Sequence, residues 1–87
     1  MGLLYARPSA VRVLADAADA AACQAIMAKV KGTPIDPNHV LRYGFYESDG
    51  YYFVGILIYT TSGAFAYQPG ELIVLDSALN LVSSSIF

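Results

Sequence analysis

The sequence predicts an α+β domain, residues 1–87 forming one compact unit: one main helix packed on a curved antiparallel β-sheet of about five strands, in the order β-α-β-β-β-β-β with a meander after the helix. Three observations carry that expectation. Cys23, Ile26, Met27 and Val30 repeat at i, i+3, i+4 and i+7, the spacing that lines one side of an α-helix. From residue 42 onward, apolar runs of strand length alternate with turn signals. Ahead of the helix, Ala10-Val11-Arg12-Val13-Leu14 alternates as a short strand does, with Pro8 just outside it.

The helix is expected over residues 17–31. Extending it back into the opening strand would place Asp16 and Asp19 on its apolar side. Both serve better at a helix start, Asp16 as N-cap and Asp19 where a carboxylate meets the positive end of the helix dipole. Lys29 and Lys31 suit the last turn, Gly32 the C′ position, and Pro34 follows. Seven alanines within the helix permit close approach to a sheet. Asp36-Pro37 signals at most one further helical turn before the first strand of the meander at 42–47. Ser48-Asp49-Gly50 is a tight turn and 51–60 the longest strand. Thr61-Ser62-Gly63 leads into a strand at 64–68, which Pro69-Gly70 ends, and strands at 71–76 and 81–87 complete the sheet.

The central strand is apolar on both sides. Positions 51, 53, 55, 57 and 59 read Tyr, Phe, Gly, Leu, Tyr, and positions 52, 54, 56, 58 and 60 read Tyr, Val, Ile, Ile, Thr. A strand of that kind is covered on both faces, and one helix covers only one. The second face is therefore left to sheet curvature, to the loop before residue 42, or to another molecule.

Composition narrows the function. The chain is 56% hydrophobic and 14% charged with a net charge of −2, and its pI is about 4.9. Five cations provide no basic patch for phosphates. Asp49-Gly50-Tyr51-Tyr52-Phe53-Val54-Gly55-Ile56 resembles the aromatic strand of RNA-recognition domains at Gly50, Tyr51, Phe53 and Val54. It departs from that pattern at Asp49, Tyr52 and Ile56, and no second helix fits between residues 57 and 80, so nucleic acid is not the expected partner. The longest apolar run, Tyr51–Tyr59, is half a membrane span, and the N-terminus lacks the basic start and apolar stretch of a signal peptide. A single cysteine, Cys23, forms no internal disulfide, and the expected setting is cytoplasmic.

No catalytic residue, metal or cofactor is expected. His39 is the one histidine, with Asp36 three residues before it, and it reads as a solvent-facing residue in a proline-containing turn. Cys23 reads as a small core residue, and the glycines open no phosphate loop. In element order alone, residues 17–87 resemble small helix-plus-sheet modules such as PepSY-like and cystatin-like domains.

The aromatic residues of 43–67 carry the functional expectation. Tyrosine buries a large ring while keeping its hydroxyl wet, as interface residues do. Tyr43, Tyr46, Tyr52, Tyr59 and Tyr67 are the candidate interface residues, alternating with Phe45 and Phe53 in the core. The uncharged last strand is a second candidate, a template for pairing with another chain. The expected function is a small non-enzymatic module that occludes a protein surface (an inhibitor, immunity protein or phage-encoded anti-defence protein). Its partner is another protein or a second copy of itself. The alternative is a small-molecule-binding domain with an apolar pocket between helix and sheet.

Overall fold

The computed structural model describes residues 11–34, 36–66 and 70–86. It shows an α+β fold in which five antiparallel strands lie in the order β1-β2-β3-β4-β5: β1 (Arg12–Val13), β2 (His39–Ser48), β3 (Tyr51–Thr60), β4 (Glu71–Leu75) and β5 (Leu81–Ile86). The helix follows β1. It opens with a 3-10 turn at Ala17–Asp19 and continues as α1 (Ala20–Val30). The predicted span of 17–31 holds to within a residue.

The helix start is tied down through Asp19. Its Oδ2 accepts from the Asp16 backbone N–H at 3.2 Å, while the Asp19 N–H donates to the Asp16 carbonyl at 2.9 Å. Arg12 Nη1 donates to both carboxylate oxygens of Asp19, at 3.0 and 3.1 Å. The same guanidinium reaches Glu47 Oε1 through Nη2 at 2.9 Å and Nε at 3.2 Å. One side chain thus joins the edge strand, the helix start and β2.

The helix end differs from expectation. Gly32 does not take a left-handed C′ conformation; positive φ among the described glycines occurs at Gly50 and Gly63. Instead Lys31 leaves the helix with ψ of 127°, and the Gly32 N–H donates to the Tyr43 hydroxyl at 3.0 Å. A side chain of the sheet satisfies a group that a Schellman turn would otherwise tie to the helix.

Two sequence expectations for the sheet are corrected. Asp36-Pro37 begins a turn and no helix: Asp36 Oδ1 accepts from the Asn38 N–H at 2.8 Å, its carbonyl accepts from the His39 N–H at 3.0 Å, and β2 starts at His39. Of the predicted strand at 64–68, the described residues 64–66 make an isolated bridge between Phe65 and Tyr59. It uses the same edge of β3 as β4, which pairs with Tyr52–Ile56. Ten residues of β3 are long enough to serve both, so the segment adds no column to the sheet. Residues 67–69 lie outside the described residues. The other strands keep their places with small changes: within the described part of 10–14 the strand is Arg12–Val13, 71–76 shortens to Glu71–Leu75, and the described part of 81–87 is Leu81–Ile86.

The core lies between α1 and one face of the sheet. Leu14, Ile26, Val54, Ile56 and Leu75 are buried together, with Cys23, Val30, Leu41, Tyr43, Phe45, Tyr52, Ile73 and Leu79 packed against them. Cross-strand partners share a face, so the register extends this assignment to rows such as Phe45, Val54, Ile73 and Ser84, and Tyr43, Ile56, Glu71 and Ile86.

Two carboxylates make stability depend on acid. The Arg12 guanidinium holds Asp19 below the usual carboxylate range, against the opposing effect of burial. Asp76 is held down chiefly by the backbone N–H of Asn80, with Asn80 Nδ2 and the Ala78 N–H adding to it. A lowered folded-state pKa means that the unfolded chain binds more protons between the two values. The stabilisation is therefore complete above the ordinary value of 3.8 and is lost as pH falls through the folded-state values. Thermal unfolding followed against pH should show the midpoint dropping below that point, with a shallower drop in Asp19→Asn and in Asp76→Asn. An unchanged slope in both variants would contradict this account.

Candidate functional site

The face of the sheet turned away from α1 is the candidate site. Alternation along β2 and β3 sends to it the residues that do not pack on the core. The register arranges them in rows across the strands. Val13, Tyr46, Phe53, Val74 and Ser83 form one row spanning all five strands. Gly44, Gly55, Leu72 and Ser85 form the next, followed by Arg42 with Leu57 and by Val40 with Tyr59 and Phe65.

This surface is apolar and open. Val13 is 58% and Phe65 61% exposed, and the helix of the described residues packs on the other side. Tyr46, Phe53, Leu57, Tyr59, Leu72 and Val74 are half-buried by one another. Phe65 meets Tyr59 edge-on at 5.5 Å between ring centroids, and the Arg42 guanidinium sits 4.6 Å from the Tyr59 ring centre, a cation–π contact. At the middle lies the Gly44–Gly55 pair, open above Gly55 alone. The Tyr46 ring lies across Gly44, where an added Cβ would come within 2.7 Å of its hydroxyl, whereas a Cβ at Gly55 would meet nothing within 4 Å.

The structure divides the predicted interface tyrosines between the two faces. Tyr46 and Tyr59 lie on the open face. Tyr43 and Tyr52 lie on the helix side, packed against the core, with Tyr43 stacked on Phe45 at 6.3 Å. Tyr67 lies outside the described residues. Phe53, expected in the core, is on the open face opposite Tyr46. The pattern of β3 alone could not tell its two faces apart, because both are apolar. Charge on β2 does not tell them apart either, since Arg42 lies on the open face and Glu47 in the helix-side row of Tyr52 and Leu75.

A second feature lies on the helix side, past the end of α1. A cavity of about 530 Å³ is floored by Val30, Leu41, Ile56, Ile58 and Ile86 and rimmed by Asp36, His39 and Glu71. His39 is the first residue of β2, beside this cavity, with Nε2 4.0 Å from Asp36 Oδ2. Cys23 is not brought to it: its Sγ donates to the Leu14 carbonyl at 3.5 Å within the core. Among the described residues no three His, Cys, Asp or Glu side chains are grouped to hold a metal. No helix among them is long and apolar enough to cross a membrane.

No protein-family model, curated protein or solved structure matches the chain.

Proposed function

We propose that this protein is a non-enzymatic binding module that covers a surface of another protein with the open face of its sheet, in the manner of an inhibitor or immunity protein. The observation that carries this reading is the uncovered row Val13–Tyr46–Phe53–Val74 with Leu57, Tyr59 and Phe65 beside it. Four strands at ~4.8 Å spacing and five to ten residues long present roughly 500 Å² in plan. That is of the order of the ~800 Å² that each partner contributes to a standard interface. Besides the tyrosines, Arg42 is the one ionisable residue on these rows. The face therefore offers apolar burial and ring stacking, with little means of moving protons. Tyr46 and Tyr59 are rigid aromatic anchors of the kind that dominate interface energetics.

The test is Leu57→Lys, which puts a charge at the centre of the face without touching the core. Partners cross-linked in the source cell by the wild type and by this variant are compared, and the partner found is then titrated with both purified chains. Affinity should fall about tenfold or more, as burying an unpaired charge in an apolar contact demands, with the circular dichroism spectrum unchanged. A folded variant that binds as tightly as the wild type would overturn the proposal.

The 530 Å³ cavity favours a second reading, a site for a small apolar ligand, since it falls within the ~300–1,000 Å³ of known ligand pockets. Native mass spectrometry distinguishes the two. A retained small molecule whose loss leaves partner binding intact would assign the cavity its own role.

A further inference from the structure

We infer that the protein self-associates through the edge of β5 that no described strand pairs, two copies pairing this strand antiparallel about a two-fold axis so that their sheets join into one. The inference is independent of the function proposed for the open face.

The two edges of the sheet are unlike. At one, β1 is two residues long and its Arg12 is held by Asp19 and Glu47, so little backbone is offered and a charge guards it. At the other, β5 is six residues long, and every one of them is exposed even though β4 pairs with one side of the strand. Leu81 is 66% and Ile86 74% exposed, because α1 packs on β2, β3 and β4 and stops short of β5. Leu81–Ile86 contains no charge, glycine or proline. Charge and proline are two devices by which edge strands are kept from pairing; a bulge is a third, and the irregularity at Val82 supplies one at the start of β5.

The occupant follows from the order of the residues. In a two-fold antiparallel pair each residue faces the one equally distant from the axis in the other copy, so the strand must read alike in both directions. Val82-Ser83-Ser84-Ser85-Ile86 does so in chemical type. About Ser84, Val82 faces Ile86, Ser83 faces Ser85, and Ser84 faces its own copy. Apolar ends meet apolar ends, and small neutral side chains meet at the axis, with no like charges opposed. The irregularity between β4 and β5 leaves out Val82 alone, at the outermost of these pairs. The Ser84 hydroxyl already donates to Glu71 Oε2 at 2.8 Å, so its hydrogen bond is made within its own sheet. Facing residues of such a pair share a side, which brings both open faces onto one side of the joined sheet.

The experiment is light scattering after size exclusion on the whole chain over a wide concentration range, with four variants. The wild type should associate to a dimer. Ser83→Lys combined with Ser85→Lys opposes lysine to lysine across the axis and should raise the dimer dissociation constant about tenfold or more, while Ala21→Lys on the exposed helix surface should not. Ser84→Cys in a Cys23→Ala background should cross-link to its own copy under mild oxidation, a readout that does not depend on the lysine variant folding. A wild type that stays monomeric throughout would overturn the inference. So would a dimer that survives the lysine pair but dissolves in Leu57→Lys, which would place the contact on the open face.

Discussion

Ile26→Ala is expected to lower the stability of the domain by about 3 kcal/mol, the middle of the range for emptying a buried isoleucine site. Ile26 and Val54 are the largest side chains with essentially no exposure, and Ile26 is the residue by which α1 is seated in the core. Domains of about this length hide little surface, and their stability tends to the low end of the usual ~5–15 kcal/mol. Losing about 3 kcal/mol would therefore leave a visibly unfolded fraction at moderate denaturant. Urea unfolding should show the midpoint falling with an unchanged slope, since the same surface is exposed on unfolding. A loss below about 1 kcal/mol would mean that neighbouring side chains collapse into the space and that the helix is not anchored there.

Gly50→Val should cost about 2 kcal/mol, through the backbone alone. Asp49 and Gly50 join β2 to β3 with φ of 54° and 80°, the two positive values of a type I′ hairpin turn. Aspartate tolerates that region, glycine favours it, and a β-branched residue is strained there by roughly 1–3 kcal/mol. This turn sets the register of ten consecutive pairs, His39–Thr60 through Ser48–Tyr51, so relaxing the strain by slipping would expose the core side of β2. Gly55→Ala is the matched control. Gly55 has no positive φ and space for a Cβ, so alanine there should be neutral or stabilising by up to about 1 kcal/mol. Equal losses in both variants would show that strand packing, and not turn geometry, controls the response.

Much of this fold was legible because it rests on local rules. The helix span followed from the spacing of Cys23, Ile26, Met27 and Val30 together with Asp16 and Pro34 at its flanks. The hairpin at 49–50 followed from Asp-Gly, and the strands expected at 71–76 and 81–87 left Ser77-Ala78-Leu79-Asn80 as the turn between them. That turn contains a detail no local rule supplies. Leu79 takes φ of 66° because its side chain packs against the core and Asp76 gathers the loop's N–H groups around it. Residues 64–66 misled for a related reason. Strand-like sequence makes a strand only along the edge it is offered, and β4 holds Tyr52–Ile56 of that edge of β3, leaving the segment a single bridge at Tyr59.

The candidate site divides in the same way. The order of the residues shows that β3 is apolar on both sides, that a single helix cannot cover both, and that tyrosines crowd the adjoining strands. It did not determine which side the helix takes. That depends on the Arg12 contacts to Asp19 and Glu47, on Leu14 entering the core beside Phe45, and on the Tyr43 hydroxyl meeting Gly32, all of which join residues distant in the chain. Periodicity places side chains on alternate faces but carries no information about which face is inside when both are equally apolar. Only the docking of α1 broke that symmetry, sending Tyr43 and Tyr52 inward and leaving Tyr46, Phe53 and Tyr59 on the open face.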